Sequence, residues 1–146
     1  MTNSNQPTKR LIRIVAALVQ DDARRVLLVR KKGTRAFMQP GEKLHDSEPH
    51  LAALQRELAE ELSCSVRPES QVFLGTFSAL AANETDFEVE AALYRVEIEG
   101  PVSPASKIEE IAWVDPSPPY QIELAPLTRD AILPLAAGTI HHSTEA

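Results

Sequence analysis

The chain has one cysteine, Cys64, which excludes an internal disulfide and any metal site built from several thiolates. With no histidine close by in sequence to activate it, a lone cysteine at the end of a helical pattern reads as a small buried hydrophobe rather than a nucleophile. Histidines are also few, and without a cluster of His and Cys residues His45 and His50 do not suggest zinc and read as surface groups. Long apolar runs are missing. Nothing approaches the roughly 18 to 20 residues of a membrane span, and the opening "MTNSNQPTKR" lacks the apolar centre of a signal peptide. The expectation is a soluble, cytoplasmic protein with no membrane partner. Positive charge is in deficit, with 15 Lys and Arg against 21 Asp and Glu for a net charge of −6. That balance argues against nucleic-acid polymers, whose binding rests on cations neutralising phosphates. A small anionic substrate stays open if a metal ion shields it.

What is present is 43% hydrophobic and 25% charged residues over 146 positions, enough for one globular domain, 1–146, with a core that needs no staples. Residues 1–9 and 141–146 are polar and read as flexible. No internal repeat is visible, and nothing in the pattern specifies an oligomeric state. "LIRIVAALV" (11–19) and "RVLLVRK" (25–31) are β-branched, apolar runs around "QDDAR", which predicts a hairpin. "RAFMQPGEKLHD" has no period and predicts a loop. "QVFLGTFSAL" and "FEVEAALYRV" predict two strands joined by "AANETD", and "EIAWVD" predicts a further short one. "QIELAPLTRDAILPLAA" has helical spacing that Pro126 and Pro134 confine to a short or interrupted helix.

Between these strands, from Glu48 to Leu62, Leu51, Leu54, Leu58 and Leu62 recur at spacings of three and four, the mark of one buried helix stripe. Pro49 suits the first turn, and Ser47 or Glu48 can cap it. The same helix gathers Glu57, Glu60 and Glu61 on one side, flanking the core without entering it. Like charges at these spacings cost a few tenths of a kcal/mol per pair, so something should compensate. Three carboxylates beside a loop whose glycine lets backbone oxygen approach would make an all-oxygen site for a hard divalent cation such as Mg²⁺.

Pro40, Gly41, Lys43, Glu48 and "RELAEEL" resemble the Nudix box, G-x5-E-x7-R-E-U-x-E-E-x-G-U with U a bulky aliphatic. Glu48, Arg56, Glu57, Glu60 and Glu61 are all in register. Two glycines are replaced: Glu42 stands at the first and Ser63 at the last. Ser63 falls where a helix commonly ends in a left-handed residue, and Glu42 is either strained, if its backbone has to adopt a glycine conformation, or recruited as an extra metal ligand or as a guard selecting substrates. The resemblance implies an α/β fold, a Nudix-type α/β/α sandwich around a mixed β-sheet. It implies a Mg²⁺-dependent hydrolase, Mn²⁺ also serving, that cleaves a diphosphate linkage in a nucleoside diphosphate derivative or nucleoside triphosphate. It further implies that Glu57, Glu60, Glu61 and the Gly41 carbonyl bind metal, with Arg56 and Glu48 as supporting partners. The alternatives are a catalytically silent Nudix-type module that binds a nucleotide or metabolite, and an acidic interaction face.

The base that activates water is open among Glu60, Glu88, Glu90, Glu109 and Glu110. Lys43, Arg30, Lys31, Lys32 and Arg35 are candidates to reach phosphates. Phe37, Phe77, Phe87, Trp113 and Tyr120 are candidates to stack a base, although aromatics in strands are more often core.

Overall fold

The computed structural model describes residues 10–45, 47–80 and 86–138. The two ends read as flexible, 1–9 and 141–146, and nearly all of the "AANETD" turn therefore lie outside the described residues. The strands are β1 (Arg10–Leu18), β2 (Val26–Lys31), β3 (Gly41–Lys43), β4 (Ser65–Val66), β5 (Val72–Leu80), β6 (Phe87–Arg95), β7 (Ile98–Glu99) and β8 (Ile108–Val114). Helix α1 spans His50–Leu62, and a π-helical turn, Thr128–Ile132, runs into α2 (Leu133–Ala137).

One sheet has the order β3-β1-β6-β5, with β1 and β6 parallel and the other pairs antiparallel. A second pairs β2 with β8, and a small one pairs β4 with β7. The second half of β1 and the start of β2 are apolar at every position because both of their faces are covered. Val15, Ala17 and Val19, with Leu27 and Val29, pack on Leu54, Leu58 and Leu62 of α1. Ala16 and Leu18, with Val26 and Leu28, pack on Leu127, Ile132 and Leu133 at the other side. This alternation about the strand axis makes the α/β/α sandwich around a mixed sheet, as expected. Burying each α1 leucine contributes about 2 kcal/mol. Cys64 is buried in the α1 core, and that burial pushes its thiol up.

The structure corrects four local expectations. The first two strands do not form a hairpin: β1 has both edges taken by β3 and β6, so β2 leaves to pair with β8, and only a bridge at Gln20 and Val26 joins them. Part of the expected loop at 35–46 is strand β3, held against β1 in the register Val15 to Glu42 and Ala16 to Gly41. No side chain caps α1, whose N-cap is Pro49. Glu42 sits in an extended strand and is not among the residues with positive φ, so it carries no glycine-type strain. Ser63, by contrast, does end α1 in the left-handed region, at φ 59°.

The larger correction concerns the acidic side chains. Glu57 and Glu61 are 1% and 2% exposed, so they enter the interior instead of flanking it. At 100° per residue Glu61 lies only about 20° from Leu54 around the helix, inside the buried arc, whereas Glu60 lies about 120° away and faces solvent.

Candidate functional site

The two buried carboxylates of α1 meet a third from β3. One oxygen each of Glu42, Glu57 and Glu61 lies within 4.8 Å of the others. The approach of β3 depends on Gly41, where a Cβ would stand 2.8 Å from the Val15 carbonyl oxygen and 3.2 Å from Ala16 Cα. Only the missing side chain lets β3 lie this close to β1 and carry Glu42 toward the helix.

The four carboxylate oxygens of Glu57 and Glu61 are buried and have no hydrogen-bond partner among the described residues. An unpaired buried carboxylate is costly, by several kcal/mol if charged. Burial first, then the neighbouring Glu61 and Glu42, pushes Glu57 up to about 9. Three hard oxygen donors without sulfur or imidazole, spaced to close on one small ion, suit Mg²⁺ or Mn²⁺. Glu57, Glu61 and Glu42 therefore fit the metal that the box implies.

A lysine from the far end of the chain approaches the same cluster. The Lys107 ammonium contacts a Glu42 carboxylate oxygen and lies 3.9 Å from one of Glu61. Its loop is fastened on both sides: Lys32 N–H donates to the Lys107 carbonyl at 2.9 Å, Ala105 N–H to the Glu61 carbonyl at 2.9 Å, and Ser103 N–H to that of Leu62 at 3.1 Å. The last two bonds also satisfy carbonyls at the end of α1. Burial raises Glu42, but the Lys107 hydrogen bond and the charge of Lys31 outweigh it and hold the carboxyl below its usual range. Above the cluster a depression of about 870 Å³ is lined by Lys31, Lys43, Arg56, Lys107 and His45, with Glu42 and Glu60 among them. Its walls thus carry more cations than anions, in a protein of the opposite net charge.

Arg56 is held by Glu48. Its Nε and one terminal nitrogen each donate to a Glu48 oxygen at 2.9 Å, and His45 N–H donates to the same carboxylate at 3.1 Å. Glu60 is exposed and is not one of the three clustered carboxylates; it lies 3.7 Å from Arg56 and lines the depression.

Of the other residues singled out in the sequence, Lys43 and Lys31 line the depression, whereas Arg35 and Phe37 do not. Arg35 extends into solvent beside Glu123 at 3.4 Å, and Phe37 is buried against Leu124 with the Arg30 guanidinium over its ring. Glu90 pairs with Arg13 and Glu110 with Arg30, while Glu88 and Glu109 belong to neither the cluster nor the depression. Lys32 serves through its main chain. Phe77 and Tyr120 pack on one core, Trp113 packs on the other, and Phe87 lies under Arg10. His45 is exposed as expected, but His50 is half-buried, its Nδ1 2.8 Å from the Tyr94 hydroxyl. Lys107 was missed altogether, because a single lysine before a strand carries no local signal.

A family profile described as NUDIX domain matches residues 10–134. A search among curated proteins finds no match. Among solved structures, a Chromobacterium violaceum protein described as a nudix hydrolase family member is 26% identical, with a TM-score of 0.68 over 88% of this chain and 77% of that one. The MutT NUDIX hydrolase from Burkholderia pseudomallei is 19% identical, with a TM-score of 0.68 over 90% of this chain and 99% of that one. A bifunctional NMN adenylyltransferase/ADP ribose pyrophosphatase from Francisella tularensis, complexed with AMP and an Mn ion, is 16% identical. Its TM-score is 0.67 over 92% of this chain and 44% of that one.

Proposed function

This chain belongs to the Nudix domain family, and from that premise we propose that it is a divalent-metal-dependent hydrolase of a diphosphate linkage in a nucleoside diphosphate derivative or a nucleoside triphosphate. The observation that carries the reading is the set of four buried oxygens of Glu57 and Glu61, without a hydrogen-bond partner among the described residues, beside Glu42 and beneath a depression lined with cations. Glu57, Glu61 and Glu42 would hold the metal. When bound, the metal polarises the phosphoryl oxygens and lowers the pKa of its water.

The remaining work falls to the chain's own side chains. Lys31 and Lys43 offset the charge of a polyphosphate that a protein of net charge −6 would otherwise repel. Arg56, spent on Glu48, fixes the loop before α1 and positions that wall of the depression. Glu60 is the carboxylate at the rim with access to solvent, and so the best placed to take a proton from attacking water.

The test is incubation of the purified protein with Mg²⁺ or Mn²⁺ and, in turn, nucleoside triphosphates, dinucleoside polyphosphates, nucleotide sugars, ADP-ribose and NADH, with products read by mass. Cleavage at a diphosphate bond that EDTA abolishes is expected. No product from any of them with either metal would overturn the hydrolase. Stabilisation by one of these compounds without turnover would instead favour a silent binding module, which the Lys107 contact with Glu42 inside the cluster makes the natural second reading.

A further inference from the structure

We propose that Lys107 is a tethered counter-cation of the acidic cluster, and that it exchanges Glu42 with the divalent ion. In the chelated protein Lys107 holds Glu42. In the loaded protein Glu42 serves the ion and the released ammonium faces the depression. The proposal rests on the reading that Glu42, Glu57 and Glu61 hold the metal.

Three observations support it. The first is the position of Glu42, where the box has a glycine: Glu42 is a third carboxylate contributed by β3 to two that α1 buries. The second is the imbalance of partners. Glu42 has Lys107, whereas the four oxygens of Glu57 and Glu61 have no hydrogen-bond partner among the described residues, and the ammonium stops 3.9 Å short of Glu61. The Lys107 ammonium is thus in direct contact with the outermost of three carboxylates, at ion-pair distance from a second, and hydrogen-bonded to neither buried one. The third is anchorage. The main chain at 103–107 is bonded to the end of α1 and to Lys32, so the Lys107 backbone stays put, while its side chain, in contact with Glu42, is half-exposed and has solvent to swing into.

The chemistry follows from charge. A lysine is a compact point charge on a flexible stem, able to neutralise a carboxylate without ligating anything else. A divalent ion that recruits Glu42 has to displace this charge, so Lys107 lowers the site's affinity for metal. Once displaced, the same charge joins Lys31 and Lys43 on the wall that would meet phosphate. Lys107 would therefore link loading of the metal to affinity for the anion, favouring the order metal first and polyphosphate second.

The experiment is calorimetric titration of the full chain with MnCl₂ after chelator treatment, for the parent and for Lys107→Met, Lys107→Arg and Glu42→Gln, with melting temperature as a second readout. Lys107→Met should bind Mn²⁺ at least about tenfold more tightly, because a unit positive charge within a few ångströms has been removed. Lys107→Arg, which keeps the charge, should stay near the parent. Glu42→Gln should bind at least about tenfold more weakly. The melting temperature of Lys107→Met should fall in EDTA and gain more from Mn²⁺ than the parent's does. Unchanged or weaker binding in Lys107→Met overturns this inference while leaving the metal site standing. A parent that gives neither heat nor a melting shift with Mn²⁺ overturns the metal reading and this inference with it.

Discussion

Arg56 reaches back eight residues to Glu48 and donates to both oxygens of its carboxylate, each at 2.9 Å. Glu48 precedes α1 and Arg56 lies in its middle, so the pair fastens the incoming loop to the helix that carries Glu57 and Glu61. Such bidentate contacts fix geometry as well as charge.

Glu48→Gln should lower the melting temperature at neutral pH, and the loss should depend on pH in one direction. The Arg56 side chain, chiefly by its hydrogen bonds, draws Glu48 down from 4.5 to about 2. A carboxyl whose folded value is depressed binds fewer protons folded than unfolded, so its stabilisation is complete above its unfolded value and is lost as pH falls through the folded one. Parent and variant should therefore differ at pH 7 and converge between pH 4.5 and about 2. A gap that stays constant over that window in a thermal-melt series would show that the pair is not the source.

Glu57→Gln replaces an ionisable carboxyl by an amide at a site with no hydrogen-bond partner among the described residues. In EDTA at pH 7 the variant should be more stable than the parent by an amount on the order of 1 kcal/mol, since the parent has to take up a proton on folding to bury a carboxyl pushed up to about 9, whereas an amide is neutral in both states. With Mg²⁺ the advantage should vanish, because the parent then gains the metal. Turnover should fall at least about a hundredfold through lost stabilisation of transition-state charge. Melts with and without chelator, alongside product formation, check all three. A variant with parental turnover would remove Glu57 from the chemistry.

Gly41→Ala should cost about 1–3 kcal/mol, the usual range for overpacking. The new methyl would stand 2.8 Å from a backbone oxygen, which cannot rotate away as a side chain can, so β3 itself must move. Urea denaturation measures the stability. Because Glu42 rides on the same strand, affinity for Mn²⁺ should weaken in parallel. Parental stability would mean that β3 tolerates more room than the packing shows.

Ser63→Gly should raise stability by about 0.5–1 kcal/mol, the left-handed penalty of a residue with a Cβ less the extra chain entropy of glycine. For a chain of this length that is a rise of about 2–3 °C in melting temperature. Ser63 is exposed, so no packing is disturbed. An equal or lower melting temperature would assign the serine a compensating role in that turn.

Several of these features can be read directly from residue order. The leucine stripe of α1 is a statement about neighbours three and four apart, and local geometry alone makes it true. The same holds for the left-handed exit at Ser63 and for the alternating strands. Glu48 and Arg56 are legible through their spacing in the box, eight residues apart and joined over two turns of chain.

Glu61 stands only about 20° from Leu54, so its angle already points inward, whereas burial of Glu57, about 60° from Leu54, depends on the width of the arc that neighbouring elements cover, which periodicity does not give. That width is set by how closely β3 and the 103–107 loop pack against α1. Which carboxylates gather was decided in the same way: Glu60 turns to solvent, and Glu42 joins Glu57 and Glu61 from a strand that residue order presented as a loop. Lys107 stands 65 residues from Glu42 and reaches it because β8 pairs with β2 and draws its preceding loop over the end of α1. Short-range spacing therefore determined the helix, its stripe and the box, while the charge balance of the site was decided by long-range strand pairing. Electrostatic contact depends on distance in space, and only the folded chain specifies that distance.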